Sequence, residues 1–553
     1  MKTRITPALL AALFAVAPLA NAAQAPKPAK ADNCAPPPSA IAPTLPAKLL
    51  EGMGNVHLPI TTSSPEAQKF FDQGLAQMHS FWAREAERSF LQAAALDPKA
   101  PMPQWGVAMV AGGDWRPRFQ IDLLEQVSGK AAPAKPSPAM LRARAAAAKA
   151  VELAAVPGAA SDLEKLYVAS IAARRDPNAT DPDEAFAQGL RAVVAKYPND
   201  IEGRLDLSLM IMRGFSEPDK NPNAPGTTEA VAILRDLLKI APEHPGVHHY
   251  VIHGFEGAPF VKDAWPSCDK YSKLVPNIPH AIHMPGHIYS QTGRWDDAVK
   301  SFSDAAVNER SWMKQDKFYG EGHHGHNVHY LSTSYSFSGR FDDAVANAQE
   351  LLGFGENPGQ LASLDLTTSA MGQGWIAMLQ ALVQFQKWDE ILQGNLLQEI
   401  KRPRQQAWMH WARGLAYANS GKGAEAKAEA KEFEAAMADF VTRVKRPEPA
   451  ELKAARIELS GHIEAVEGHT DKALKTLEAA SKAERRLTYS EPPYYPRPVA
   501  EAMGQLALKN HKPDVAAKAF KIALEQYPAD AHAEKGLKLA MDLAAEKKIL
   551  AKK

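Results

Sequence analysis

The stretch AQKFFDQGLAQMHSFWAREAERSFLQAAALDPKA, residues 67–100, decides the fold of this 553-residue chain. Its 34 residues place small side chains at positions 8, 20 and 27, an aromatic ring at position 24 and a proline at position 32: Gly74, Ala86, Ala93, Phe90 and Pro98. Small residues at these steps let two helices cross closely, and the proline ends the second helix. The stretch therefore predicts two antiparallel α-helices.

The same spacing returns along the chain from about residue 65 to about residue 540. Copies begin at Pro279 and near Gly325, Ala407, Lys453 and Val499, with a weaker copy near Pro245. The fit is less clear from Met140 to Ile240, where RRDPNATDPDE and SEPDKNPNAPGTT are typical of inserted loops. The pattern resembles the tetratricopeptide repeat (TPR), and the resemblance implies an all-α helical-hairpin solenoid wound as a right-handed superhelix.

The N-terminus has the layout of an export signal. Lys2 and Arg4 precede an apolar run, and the small residues of Ala20-Asn21-Ala22 follow it, which predicts a Sec-type signal peptide over residues 1–22 and a periplasmic or secreted protein. A Pro/Ala-rich flexible leader is expected at residues 23–64. The remaining predicted segments are N-terminal TPR-like repeats with inserted loops at 65–240, histidine-rich central repeats at 241–350, and C-terminal TPR-like repeats with a capping helix at 351–553.

Charge and motifs exclude several function classes. The chain has 64 basic and 63 acidic side chains, so its net charge of +1 does not indicate nucleic acid or an anionic membrane as a partner. No later stretch has the length and apolar character of a transmembrane helix. The HExxH zincin motif, the phosphate loop, the dinucleotide fingerprint and the GxSxG elbow are absent from the sequence.

Histidines are concentrated in the central repeats. Of the 18 histidines, 11 fall between His244 and His329. Eight residues there occupy positions 2, 5, 9 or 12 of three consecutive repeats, which fall within an arc of about 80° on a helix. In TPR proteins these positions face the concave groove, so the resemblance implies that the eight point into one channel. They are His249, His253, Glu256, His280, His283, His287, His326 and His329.

This set favours a metal site over ordinary core histidines. A single buried histidine is usually satisfied by a nearby polar group, whereas seven in register gain little from packing. Imidazoles with a carboxylate, and no cysteine, are typical ligands of a divalent transition metal, with Zn, Cu(II) and Fe(II) all open. His249, His253 and Glu256 can form a 2-His-1-carboxylate face. Two ions fit the set, and so does one ion with additional base or substrate-binding histidines.

Four other histidines of the window are secondary candidates. His244 and His248 lie off the stripe, and His323 and His324 fall in EGHHGHN, which is expected to be a loop. The compound pattern FDQGL, then HYxIHxxE, HxxHMPxHIY and HNxH, resembles a group of exported bacterial TPR proteins. That resemblance supports the site and brings no established reaction with it.

Three functional hypotheses follow. The leading one is an exported TPR-type protein with a metal centre in its groove, of a kind that supports metal-dependent hydrolysis or oxidation. The alternative is an interaction scaffold that binds a peptide, a partner protein or a small molecule in the groove. The third is metal sequestration without turnover.

Overall fold

The structure, a computed structural model, describes residues 41–117, 135–214, 226–316, 321–356, 364, 369–487 and 490–550. Within these ranges the regular elements are all helices, and the predicted all-α helical-hairpin solenoid is confirmed. The predicted signal peptide lies outside the described residues, as does the leader up to residue 40. In the ranges described, none of the helices has the length and apolar character needed to cross a membrane.

Among the described residues, eight helices form the N-terminal part. They are α1 Pro65–His79, α2 Ala83–Leu96, α3 Pro101–Val110, α4 Pro138–Ala154, α5 Asp162–Arg175, α6 Pro182–Lys196, α7 Ile201–Ile211 and α8 Thr227–Ile240. Side-chain caps start several of them; Ser161, for example, forms a capping box with Glu164. The first predicted insertion is only the short connection between α5 and α6, closed by Arg174 donating to Asp183. The second falls mostly outside the described residues.

The central part consists of three consecutive helical hairpins. Its helices are α9 Pro245–Phe255, α10 Trp265–Leu274, α11 Pro279–Gln291, α12 Trp295–Gln315, α13 Glu321–Phe337 and α14 Phe341–Leu352. The first and second helices of a hairpin cross where the sequence predicted: a Cβ on Gly286 would lie 2.5 Å from the ring of Phe302. Glycine is therefore required at this crossing. The histidine stripe runs along α9, α11 and α13, the first helix of each hairpin.

The expectation of a loop over EGHHGHN is wrong, because helix α13 begins at Glu321 and includes it. His324 explains why two glycines do not break the helix here. Its Nδ1 bonds to Glu309 of α12 and its Nε2 to Glu350 of α14, so the first turn is fixed from both sides.

Nine α-helices follow in the part of the chain that the structure describes. They are α15 Ala370–Gln384, α16 Trp388–Gln393, α17 Pro403–Asn419, α18 Gly423–Asp439, α19 Ala450–Val466, α20 Thr470–Glu484, α21 Val499–Lys509, α22 Pro513–Gln526 and α23 Ala531–Leu550. The chain returns to the central hairpins at the α22–α23 turn. There the indole N–H of Trp295 donates to the carbonyl of Pro528 at 2.9 Å, and Phe337 stacks on Tyr527 at 4.7 Å.

The described part of the expected flexible leader, residues 41–64, packs against the first hairpin instead. Met53, Val56 and Leu58 are buried. The side chain of Gln73 on α1 accepts the backbone N–H of Leu50 at 2.7 Å. A few apolar side chains at the right spacing, with glutamines to satisfy the extended backbone, are enough to order this stretch.

Candidate metal centre

Seven of the eight predicted side chains come together between α9, α11 and α13. Five of them have at most 3% of their surface exposed, so they form a buried cluster and not the lining of an open groove: His249, His253, Glu256, His283 and His287. His280 and His326 are partly exposed and connect the cluster to solvent. The cluster contains two groups of three imidazoles, each with ring nitrogens within 4.8 Å of one another.

The first trio is His249, His253 and His280. Nδ1 of His249 donates to the backbone carbonyl of His79, which can only accept. The lone pair of His249 is therefore on Nε2, which lies 3.1 Å from Nε2 of His280. Nδ1 of His253 lies 3.1 Å from Glu256, so its Nε2 is the atom left for the trio. Hydrogen bonds on the far nitrogen orient metal-binding histidines in this way.

The second trio is His283, His287 and His326. Nδ1 of His283 donates to Oδ1 of Asn327 at 2.7 Å. The amide nitrogen of Asn327 donates to the carbonyl of Phe302 and to Glu309, which fixes the orientation of the amide. The lone pair of His283 is thus on Nε2, at 2.6 Å from Nε2 of His287 and 3.2 Å from Nε2 of His326.

The nitrogen separations in both trios are close to those of a metal site. Nitrogens that share one tetrahedral zinc at about 2.0–2.1 Å are about 3.3 Å apart. The contacts at 3.1 and 3.2 Å are near this value, and the contact at 2.6 Å is shorter. Nε2 of His283 and Nε2 of His287 would have to move apart by about 0.7 Å to reach the tetrahedral separation.

The second trio needs a positive ion among its nitrogens. In the second trio the lone pair of His283 faces two other ring nitrogens, and a proton carried by His287 satisfies only one of these contacts. A divalent cation between the rings would accept all three lone pairs. A protonated ring and a bound metal are therefore the two chemical possibilities at this point.

Glu256 lies between the two trios. It follows the last residue of α9, and its carboxylate accepts from His253 and from His287, each at 3.1 Å. Glu491, from the segment before α21, contacts the same nitrogen of His287 at 2.7 Å. Carboxylates bonded to the outer nitrogen are typical partners of metal-binding imidazoles. Glu256 is thus placed to orient both trios. It was predicted as a ligand, and ligand atoms of Glu256, His287 and Glu491 also lie within 4.8 Å of one another.

Electrostatics divide the histidines into two classes. Burial, with repulsion by neighbouring rings, lowers the pKa of four imidazoles well below the usual value of histidine: His249, His280, His283 and His326. Burial also lowers the pKa of His287, but the carboxylates of Glu491 and Glu256 outweigh it and raise this pKa to about 10. Burial raises the pKa of Glu256, and contact with His253 and His287 outweighs that effect and lowers it.

His329 does not join either trio. Both of its ring nitrogens bond to side-chain oxygens on α15, Nδ1 to Gln373 and Nε2 to Gln380 at 3.0 Å. Of the secondary candidates, His248 bonds to Ser267 and to the carbonyl of Pro242. These two histidines are satisfied structural residues, of the kind that a lone buried histidine usually is.

His323 is a cluster member that the sequence placed only among the secondary candidates. Its Nε2 lies 2.9 Å from Nδ1 of His280, and its Nδ1 bonds to the buried carboxylate of Glu309. It therefore extends the first trio toward the second, because its ring also lies 5.0 Å from that of His283. His323 lies three residues before His326, and on a helix this spacing places both side chains on the same face. The expectation of a loop here concealed that relation.

Phe81, which the sequence did not indicate, covers the first trio. Its ring centroid lies 4.5 Å from that of His249, 5.4 Å from that of His253 and 5.5 Å from that of His280. It stands in the turn between α1 and α2 with φ of 52°, a left-handed conformation that is uncommon for a bulky residue. The corresponding turns after α11 and α13 use Gly293 and Gly339. Gln386 and His511 take the same conformation in the turns after Gln384 and Lys509, so the backbone of Phe81 follows a pattern shared by other hairpins of the chain.

A third buried group adjoins the first trio. Glu202 accepts from Nε2 of His79 at 2.6 Å and from Nε2 of His244 at 2.9 Å. The hydroxyl of Tyr250 lies 3.0 Å from Nδ1 of His79. This network holds His79, and through its carbonyl the tautomer of His249.

No model of a known protein family matches the sequence, and no curated protein matches it. Solved structures with similar helical arrangements belong to tetratricopeptide-repeat proteins. The human IFIT1 dimer with m7Gppp-AAAA shares 10% identity with a TM-score of 0.30, over 89% of this chain and 91% of its own. The P58(IPK) TPR domain shares 12% identity with a TM-score of 0.22, over 87% of this chain and 99% of its own. Yeast Tom70 shares 12% identity with a TM-score of 0.27, over 88% of this chain and 90% of its own.

Proposed function

We propose that this protein binds two divalent transition-metal ions, one in each histidine trio, inside an exported helical-repeat scaffold. The observation that carries the proposal is the convergence of Nε2 atoms in the second trio, where Asn327 fixes the tautomer of His283 from outside. Nitrogen ligands with carboxylates behind them suit Zn, Cu(II) or Fe(II). Export is supported by the N-terminal pattern alone.

Three histidines leave one position open at a tetrahedral ion, as in catalytic and not in structural zinc sites. An open position of this kind would allow a substrate or water to bind the ion, which supports metal-dependent hydrolysis or oxidation as the activity of the site. The helical-hairpin fold itself supports the scaffold alternative better, since such repeats bind peptides and partner proteins on their surfaces. Metal binding is compatible with both, and it is the part that can be tested first.

The test is the metal content of tag-free protein, measured by elemental analysis before and after titration with Zn²⁺. His326 and His329 offer a matched pair, because they lie one turn apart on α13 and differ in their contacts. His326→Ala should lose about one ion per chain, and His329→Ala should lose none. If the protein takes up no stoichiometric metal, a proton and not a metal ion lies between the rings of the second trio. The metal proposal is then wrong, and the interaction-scaffold hypothesis replaces it.

A further inference from the structure

A cavity of about 540 Å³ lies beside the histidine cluster, between the central hairpins and the C-terminal helices. This volume is within the range of small-molecule sites. Tyr330 forms the shared wall: it lines the cavity, and its ring centroid lies 5.2 Å from that of His287. The cavity belongs to neither trio.

Aromatic side chains form most of the apolar wall. Trp295 stacks on Phe337 at 4.6 Å, and Phe337 stacks on Tyr527 at 4.7 Å. Two polar atoms of this wall are already engaged: the indole N–H of Trp295 donates to the carbonyl of Pro528, and the hydroxyl of Tyr495 donates to Glu458 at 2.5 Å. The stacked rings offer apolar surface to an occupant.

The polar end of the cavity has two buried acceptor atoms that can take a further donor. Glu484 is 3% exposed and its carboxylate interacts with the side-chain amide of Gln526, at 2.5 Å from Oε1, and with the backbone N–H of Val499; its Oε2 makes no hydrogen bond of normal geometry to a described residue. The same contact fixes the amide of Gln526, whose Oε1 is buried and also lacks a donor in the described part of the chain. Unsatisfied buried acceptors are costly, so a ligand that donates here would be favoured.

The local field at this end favours a cation. Glu484 is the last residue of α20 and Gln526 the last of α22, and the C-terminal end of a helix carries partial negative charge. Burial raises the pKa of Glu484 to about 7, with Glu458 adding to the rise, while the amides of Gln526 and Val499 offset only part of it. Arg485 lines the cavity as well, but its side chain is exposed at the rim.

We propose that this cavity binds a small organic amine, whose apolar or aromatic body lies against the aromatic wall and whose ammonium group donates to Glu484 and Gln526. An ammonium supplies the donors and the charge that the two acceptors lack, and its hydrogen bonds to a carboxylate are stronger than neutral ones. The proposal is independent of the metal, because none of the atoms involved belongs to a trio.

The experiment is calorimetric titration of the full chain, freed of metal with chelator, with 2-phenylethylamine and with its neutral analogue 2-phenylethanol. The amine should bind about tenfold or more tightly than the alcohol. A comparison with Nα-acetyl-lysine amide separates the sources, since tighter binding of the lysine derivative would identify a peptide side chain as the ligand. Equal affinity of amine and alcohol, or no binding of either at millimolar concentration, overturns the proposal.

Two substitutions sharpen the test. Glu484→Gln keeps the shape of the side chain and removes its charge, so it should weaken amine binding about tenfold and leave the alcohol unchanged. Glu525→Gln removes an exposed carboxylate from the same cavity and should change amine binding less than about threefold. Undiminished binding to Glu484→Gln would contradict the assignment, and thermal melting verifies that both variants are folded.

Discussion

The Nε2 atoms of His283 and His287 lie 2.6 Å apart, although each ring is held at its other nitrogen by an acceptor. Asn327 holds the first ring, and Glu256 with Glu491 holds the second. Two neutral rings in these tautomers would point lone pairs at each other. A positive ion between them resolves the conflict, and a proton and a metal ion compete for that place.

This competition sets the pH dependence of metal binding. The pKa of His287 is about 10, so the ring is protonated at both nitrogens at pH 7 and must lose the Nε2 proton to bind a metal. Affinity at the second trio should therefore rise about tenfold per pH unit between pH 6.5 and 8.5. The pKa of His283 and that of His326 lie well below the usual value, so these rings contribute no proton in this range.

Calorimetry in two buffers with different heats of ionisation measures the released protons. About one proton per ion is expected at the second trio. An affinity that does not change with pH over this range, with no proton released, would show that His287 is not a ligand.

Asn327 should act as a positioning residue for the second trio. Asn327→Ala removes the acceptor that fixes the tautomer of His283, so metal affinity should fall about 10- to 100-fold. The loss of its bonds to Phe302 and Glu309 will also lower stability, so affinity must be compared in folded protein. Asn327→Asp keeps an acceptor for His283 and should retain more affinity than Asn327→Ala. The reverse order would count against the proposed tautomer.

Metal should stabilise the central hairpins. A ligand that binds only the folded state at 100 times its Kd adds about 2.7 kcal/mol to the free energy of unfolding. Chelation should therefore lower the melting temperature, and addition of Zn²⁺ should restore it. The same melt with His326→Ala should show a smaller response, and identical curves with and without chelator would be inconsistent with the proposal.

The helix crossing at α11–α12 offers a test of the fold. Gly286→Ala would place a methyl group 2.5 Å from the ring of Phe302, which also packs against His283 with ring centroids 5.0 Å apart. Overpacking of this kind costs about 1–3 kcal/mol. Urea denaturation should show a loss in this range, whereas Gly421→Ala, in an open turn, should act only through its left-handed backbone. No loss at Gly286 would indicate that the helices cross elsewhere.

The repeat pattern was sufficient to predict the fold, because the spacing of Gly286 and Phe302 reflects a contact within one hairpin. It was sufficient for His249, His280 and His283, because the helical period places His280 and His283 on one face and the repeat frame places His249 on the corresponding face of the neighbouring hairpin. The repeat pattern did not predict contacts between the histidines and residues that are distant in the sequence. The glutamines that bind His329 lie on α15, and Glu491 reaches His287 from the segment before α21. The position of Phe81 over the first trio could not be predicted, because it depends on a left-handed turn that the spacing of apolar residues does not reveal.

The most direct test of the central claim is anomalous diffraction at the zinc edge from crystals of the tag-free protein grown with Zn²⁺. We expect a peak about 2.0–2.1 Å from Nε2 of His283, His287 and His326, and a second among the rings of the first trio. Peaks confined to exposed side chains such as His57 and Asp72, with none among the buried rings, would contradict it.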